Sequence, residues 1–232
     1  MNLNREGELR KLMNSKMAKI YLISPEKIDL KTFPTRLENV LKTGLVPSFQ
    51  LRLKGYEESE VTKIARELKK ICHQNHCLFL LNDSCEIAAA VGADGVHLGV
   101  EDGSIAEIRK KFPTNFIIGA SCYDSRHLAM EAGEQGADYI SFGAFFSSKT
   151  KISRGKPNTE ILEWASEITN LPIVAIGGIT DDNCSSLIMA GADFVAVISY
   201  AWDHPDGEVV AIKNLAKKLT EKTDSSSHAL HS

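Results

Sequence analysis

Short apolar runs recur along this chain, each closed by a polar residue and followed by a stretch long enough for a helix. Eight stand out, at 20–23, 44–51, 78–81, 92–98, 115–120, 136–142, 172–176 and 191–197. Three of them open with Gly-Ala-Asp, at Gly92 (GADGVHL), Gly136 (GADYISF) and Gly191 (GADFVAV), and Gly44 (GLVPSFQL) opens a weaker relative. A helical pattern precedes each glycine, as expected for a left-handed helix cap that turns directly into a strand. After the second run, Val61, Ile64, Ala65, Leu68 and Ile71 repeat at helical spacing and predict one apolar helix face. Eight strand–helix units within residues 18–222 predict a single-domain (β/α)8 TIM barrel of the α/β class. An open doubly wound sheet is the alternative, but no Gly-rich dinucleotide fingerprint follows the first strand.

The flanks differ in character. Residues 1–17 are polar, mixed in charge and without a periodic face, and predict a flexible extension; 223–232 (TDSSSHALHS) predict a disordered tail. A hydrophobic fraction of 43% supports a sizeable core, and a net charge of −3 gives no electrostatic footprint for nucleic acid. No apolar run reaches a membrane span, and no leader-like segment opens the chain. Five scattered cysteines fit reduced thiols in a cytoplasmic protein. Cys72, His73, His76 and Cys77 lie close together, yet their spacing matches no recognised pair of zinc-binding hooks, so a helix end entering a strand is expected there.

In a barrel of this kind chemistry sits where the strands end. The second strand leads into Gln50, Arg52 and Lys54, the third into Asn82 and Asp83, and the fourth carries His97 and leads to Asp102. The fifth ends at Ser121, the sixth runs into Ser147, Ser148, Thr150 and Lys151, the seventh ends in Gly177-Gly178, and the eighth in Ser199. Asp83 and Asp102 leave parallel strands at one edge, and two hard carboxylates are the usual protein share of a Mg2+ site. Asp83 also has capping-box spacing with Glu86, which leaves a capping role open, whereas Ser104 and Glu107 already offer the next helix its own box. Cations, carboxylates and hydroxyls around one rim suit a phosphate-rich substrate with Mg2+. The paired glycines admit an anion to backbone N–H groups, with a plain tight turn as the alternative. His97, inside an apolar strand, is expected to be a satisfied core histidine. Arg52 and Lys54 read equally as solvated loop charges.

With these segments in hand, the chain resembles the thiamine-phosphate synthase family. QLRLK (50–54), LLND (80–83), GADGVHLGVED (92–102), GAS (119–121), SKTK (148–151), VAIGGI (174–179) and VIS (197–199) carry the likeness, in order and over most of 18–218. The resemblance implies an enzyme that joins a hydroxymethylpyrimidine diphosphate to a thiazole phosphate and releases pyrophosphate. It implies that Gln50, Arg52, Lys54, Asn82, Ser121 and Lys151 hold the pyrimidine diphosphate, and that Asp83 and Asp102 bind Mg2+. Ser148, Thr150, Gly178, Ile198 and Ser199 would hold the thiazole phosphate. Lys151 and Arg52, with the two aspartates, would carry catalysis by stabilising the departing charge. The expected partners are phosphorylated small molecules, with neither nucleic acid nor membrane; a homo-oligomer is left open. Three departures stand out: Val100 replaces the family's usual Gln, Ser148 a Thr, and Asn158 a Gly. Tyr123 occupies the position of the histidine of the related thiazole tautomerases, which argues against that activity. A non-catalytic binder of thiazole phosphate or pyrophosphate is the main alternative; an aldolase with a Schiff-base lysine inside strand six ranks lower.

Overall fold

A computed structural model describes residues 17–147 and 155–225, with the side chains of 222–225 left aside. Eight parallel strands close into a barrel: β1 (Lys19–Ile23), β2 (Ser48–Leu51), β3 (Leu78–Asn82), β4 (Gly95–Leu98), β5 (Ile117–Tyr123), β6 (Tyr139–Gly143), β7 (Ile173–Ile176) and β8 (Phe194–Val197). Each strand pairs with the next, and β8 returns to β1 with Ile20 opposite Val195. The expected (β/α)8 TIM barrel is therefore the fold. Helices among the described residues are α1 (Phe33–Leu41), α2 (Glu58–Gln74), α3 (Cys85–Val91), α4 (Ile105–Lys111), α5 (Arg126–Glu134), α6 (Glu160–Ile168), α7 (Cys184–Met189), the single turn α8 (Ser199–Trp202) and α9 (Glu208–Ser225).

Strand alternation divides the core into two layers. On β1, Tyr21 and Ile23 point into the barrel, where Leu80, Ile117, Tyr139, Val174, Phe194 and Ala196 join them. Ile20 and Leu22 point outward into the larger layer between strands and helices. There, Ile64, Ala65 and Leu68 of the expected α2 face are buried, with Val61 and Ile71 packed at its margin. Gly119 clears interior space for a large neighbour, since a Cβ at that position would run into the ring of Tyr139.

The Gly-Ala-Asp repeat has a mechanical meaning at the N-terminal rim. In each copy the aspartate Oδ2 accepts the backbone N–H of the preceding strand: Asp94 from Phe79 at 2.8 Å, Asp138 from Ile118 at 2.7 Å, Asp193 from Ile173 at 2.8 Å. The backbone closes each bracket, with the N–H of the same aspartate donating to the carbonyl of the same partner. Asp94 also meets His73 Nε2 at 2.8 Å, and Asp138 pairs with Arg109. The brackets tie β3 to β4, β5 to β6 and β7 to β8. In the weaker relative Pro47 precedes the strand in place of the aspartate, and β1–β2 has no bracket of this kind.

Two boundaries move. β5 was expected to end at Ala120 but runs to Tyr123, because a register shift between Ser121 and Tyr123 carries its pairing with β6 past a bulge. The last helix runs to Ser225, so the tail expected from Thr223 begins inside helix: Ala211, Ile212, Leu215 and Leu219 bury one face of α9, and the helix continues beyond that anchor.

Candidate active site

A cavity of about 560 Å3 opens at the C-terminal ends of the strands. It is lined by Gln50, Arg52, Lys54, Asn82, Asp83, Asp102, Ser121, Gly178, Ile198 and Ser199, so every predicted site residue that lies among the described residues meets in one place. Ser148, Thr150 and Lys151 lie outside the described residues. On either side of them, the Ala144 N–H donates to the Gly155 carbonyl at 3.3 Å and the Lys156 N–H to Asp124 at 3.3 Å.

Asp83 and Asp102 are not helix caps. Ser84 caps α3 by accepting the Ile87 N–H at 3.2 Å, and Ser104 caps α4 by accepting from Glu107 at 3.4 Å. Asp83 sits at φ +67, an uncommon backbone for a residue with a Cβ, which turns its carboxylate off the end of β3 into the cavity. Asp102 Oδ2 accepts the Gly99 N–H at 2.6 Å, which fixes the β4–α4 turn around it. Burial raises the Asp83 carboxyl above its ordinary range, and the neighbouring Asp102 adds to the rise by hydrogen bonding and repulsion; Lys54 and Arg52 pull it back down. Lys54 Nζ stands 3.7 Å from Asp83 Oδ2, and Arg52 reaches Glu26 at 3.8 Å. Two carboxylates that repel each other at a cavity rim fit a hard divalent cation. Among the described residues no third His, Cys, Asp or Glu joins them, so phosphate and water oxygens would have to complete a Mg2+ shell.

On the opposite side, Gly177 (φ +108) and Gly178 (φ +60) bring bare backbone to the cavity wall. A Cβ on Gly178 would lie 2.5 Å from the Ser147 carbonyl oxygen. Asn183 steadies the turn by accepting the Thr180 N–H at 2.9 Å and donating to the Gly178 carbonyl at 3.0 Å. Ile198 and Ser199 follow from β8, with Ser199 opening the short turn α8.

The cavity floor holds what sequence reasoning missed. Gln50, only 3% exposed, accepts from Tyr21 Oη at 3.1 Å and donates through Nε2 to Asn82 Oδ1 at 2.6 Å. Tyr21 Oη meets Tyr139 Oη at 2.8 Å. His97 Nδ1 lies 2.9 Å from Tyr139 Oη, and its Nε2 lies 2.9 Å from Ser121 Oγ. His97 is thus the satisfied histidine expected, but it lines the cavity and stacks against Tyr139 at 5.5 Å between centroids. Interior alternation was the available signal: Tyr21 and Tyr139 fall at inward positions of apolar strands. Val100 lines the rim with 54% exposure, and Tyr123, at φ +54 beyond the bulge, lines the adjacent wall. β6 (YISFG) contains no lysine, which removes the aldolase alternative.

Comparison with known proteins agrees with this geometry. Residues 20–201 match the family model described as thiamine monophosphate synthase. The thiamine-phosphate synthase of Erythrobacter litoralis is 47% identical over 205 residues, spanning 86% of this chain and 94% of that protein. The thiamine-phosphate synthase of Rhodospirillum centenum is 42% identical over 201 residues, 87% and 97% of the two chains. A solved thiamine phosphate pyrophosphorylase from Pyrococcus furiosus superposes with a TM-score of 0.77 at 35% identity, covering 90% of this chain and 98% of that one. With the model spanning the barrel from β1 to α8 and relatives matched over nearly their whole length, this chain belongs to the thiamine monophosphate synthase family.

Proposed function

We propose that this cavity condenses 4-amino-2-methyl-5-hydroxymethylpyrimidine diphosphate with 4-methyl-5-(2-phosphoethyl)thiazole, giving thiamine phosphate and pyrophosphate. One observation supports the reading above others. A single cavity has an acidic pair flanked by Arg52 and Lys54 at one end and a glycine-lined backbone wall at the other. Two phosphorylated substrates therefore have separate anion sites with a shared space between them. Asp83 and Asp102 would hold Mg2+, whose contribution is to neutralise charge on the diphosphate. Arg52 and Lys54 bind the diphosphate oxygens, and Lys151 adds a further point charge for the departing group. Asn82 and Ser121 hold the pyrimidine ring, while Ser148, Thr150, Gly178, Ile198 and Ser199 hold the thiazole phosphate. The bond from the pyrimidine methylene to the diphosphate oxygen breaks, its electron pair leaves with pyrophosphate, and the thiazole nitrogen forms the new C–N bond. No side-chain nucleophile is needed, so orientation and charge stabilisation supply the rate. No helix among the described residues is long and apolar enough to cross a membrane, and phosphorylated small molecules are the expected partners.

The test is incubation with both phosphorylated precursors and Mg2+, following pyrophosphate release and thiamine phosphate. Release that requires both precursors and stops with excess chelator is the expected result. A second reading rests on Val100, an apolar side chain 54% exposed at a polar rim: a binder that retains thiazole phosphate without turnover. Tight thiazole phosphate binding with no pyrophosphate release would favour it.

A further inference from the structure

The chain of hydrogen bonds under the cavity crosses the barrel through six strands and ends at two cavity-lining groups, Asn82 and Ser121. Its direction follows from counting protons. Tyr21 has one hydroxyl proton and gives it to Gln50 Oε1. The 2.8 Å contact between the two tyrosines must then be donated by Tyr139. Tyr139, its proton committed, can only accept at the 2.9 Å contact with His97 Nδ1, which therefore carries a proton. A neutral imidazole so protonated has a bare Nε2, and Ser121 donates to it across 2.9 Å. At the other end Gln50 Nε2 donates to Asn82 Oδ1, leaving the Asn82 N–H groups for the cavity. Burial pushes both tyrosine hydroxyls well above their ordinary range, so neither loses its proton at working pH.

We infer that this relay sets the polarity of the pyrimidine subsite. Asn82 presents a donor and Ser121 an acceptor, and Tyr21, Tyr139 and His97 are positioning residues that fix the pair. The inference rests on the pyrimidine diphosphate reading above and deepens it. A 4-aminopyrimidine complements the pair, with a ring nitrogen as acceptor and an exocyclic amine as donor. A 4-oxo ring offers an acceptor where the amine would donate, and faces the lone pairs of Ser121. The two ends are linked: reversing the relay takes a proton shift from His97 to Tyr21 together with a flip of the Gln50 and Asn82 amides, since the tyrosine hydroxyl faces Gln50 Oε1 and Gln50 Nε2 faces Asn82 Oδ1.

Two measurements decide it. The first is the His97 tautomer in the full chain, read from 15N chemical shifts near neutral pH and assigned by its loss in His97→Gln. Protonation at Nδ1 with a bare Nε2 is expected; the Nε2–H tautomer overturns the inference. The second compares kcat/KM for the 4-amino and 4-oxo pyrimidine diphosphates. The natural protein should prefer the amino substrate by about 100-fold or more, the scale at which a polar site rejects a mismatched analogue. Tyr139→Phe keeps the ring against His97 but cuts the relay, so the preference should fall below about tenfold. That loss should appear mainly in KM for the pyrimidine substrate, with KM for thiazole phosphate unchanged. A folded Tyr139→Phe, or Tyr21→Phe if the first does not fold, that keeps the full preference overturns the inference. Absence of turnover in the natural protein would defeat the activity reading instead, and the tautomer would still decide the relay.

Discussion

The two rims of this barrel use aspartate in opposite ways. At the N-terminal rim Asp94, Asp138 and Asp193 each accept a strand N–H, and the first two also pair with His73 and Arg109. At the C-terminal rim Asp83 and Asp102 stand beside each other at one end of the cavity, one on a left-handed backbone and the other locked by a single turn N–H. Burial raises the carboxyls of Asp138 and Asp193, but strand N–H groups and nearby cations oppose it. At Asp83 a second carboxylate reinforces it. The first arrangement commits its hydrogen-bonding capacity to the fold; the second sets two carboxylates together with Lys54 and Arg52 at a cavity open to ligand.

The most severe way to break the contrast is to remove charge at the top. Asp102→Asn keeps an oxygen for the Gly99 N–H, so the fold should hold, with unfolding free energy within about 0.5 kcal/mol of the natural protein. Turnover should drop by about 10²–10³, the scale for losing one charge-stabilising group. Steady-state kinetics beside a denaturant titration checks both halves, and unchanged turnover would remove Asp102 from the machinery.

The mirror experiment is at the bottom. Asp138→Ala strands the Ile118 N–H and Arg109 in a partly buried setting, and should cost about 1–3 kcal/mol of stability. The kcat of the folded fraction should stay within about twofold, since the bracket lies at the opposite rim from the cavity. A large kcat effect at full folding would mean that the rims are coupled.

Gly178→Val sharpens the division within the upper rim. Its backbone is left-handed and its Cβ would press on the Ser147 carbonyl, so the wall proposed to hold the thiazole phosphate should deform. KM for thiazole phosphate should rise at least about tenfold more than KM for the pyrimidine diphosphate, as expected when phosphate loses close contact with backbone N–H groups. Equal losses would merge the two anion sites.

A pH titration of metal affinity gives a gentler test. A carboxyl held above its ordinary range favours the folded, metal-free state when protonated. That contribution is present at low pH and lost as pH rises through the raised value. Metal needs the carboxylate, so Mg2+ binding should weaken as pH falls through the Asp83 range, by at most about tenfold per unit for one proton displaced. Calorimetry showing affinity independent of pH would exclude Asp83 as a ligand. The smallest effect belongs to Val100→Gln: restoring one neutral hydrogen bond, worth about 0.5–1.5 kcal/mol, should change the rate by about tenfold or less.

The barrel was legible because its strands advertise themselves. Gly-Ala-Asp marks three helix-to-strand turns, and the polar residues after the second to fifth, seventh and eighth apolar runs foretold cavity lining, from Gln50 to Ser199, while Ser148, Thr150 and Lys151 lie outside the described residues. The purpose of the Asp in that motif was not legible, because a carboxylate that brackets a strand N–H looks in sequence like any loop acid. Asp83 was open to a capping role until Ser84 proved to cap α3. The floor stayed hidden for a different reason. Tyr21, His97 and Tyr139 sit 42 to 118 residues apart along the chain, and only barrel closure brings their hydroxyls and ring nitrogens together.

Gly119 and Tyr139 also constrain how this site can change over generations. Any side chain at 119 collides with the tyrosine ring, so a lineage cannot fill Gly119 first. Tyr139 has to shrink beforehand, and that step severs the link between the tyrosines and His97 before any new contact exists to replace it. The accessible path therefore begins with a loss, and a laboratory search one substitution at a time would discard it. Libraries that vary 119 and 139 together cross that gap in one step.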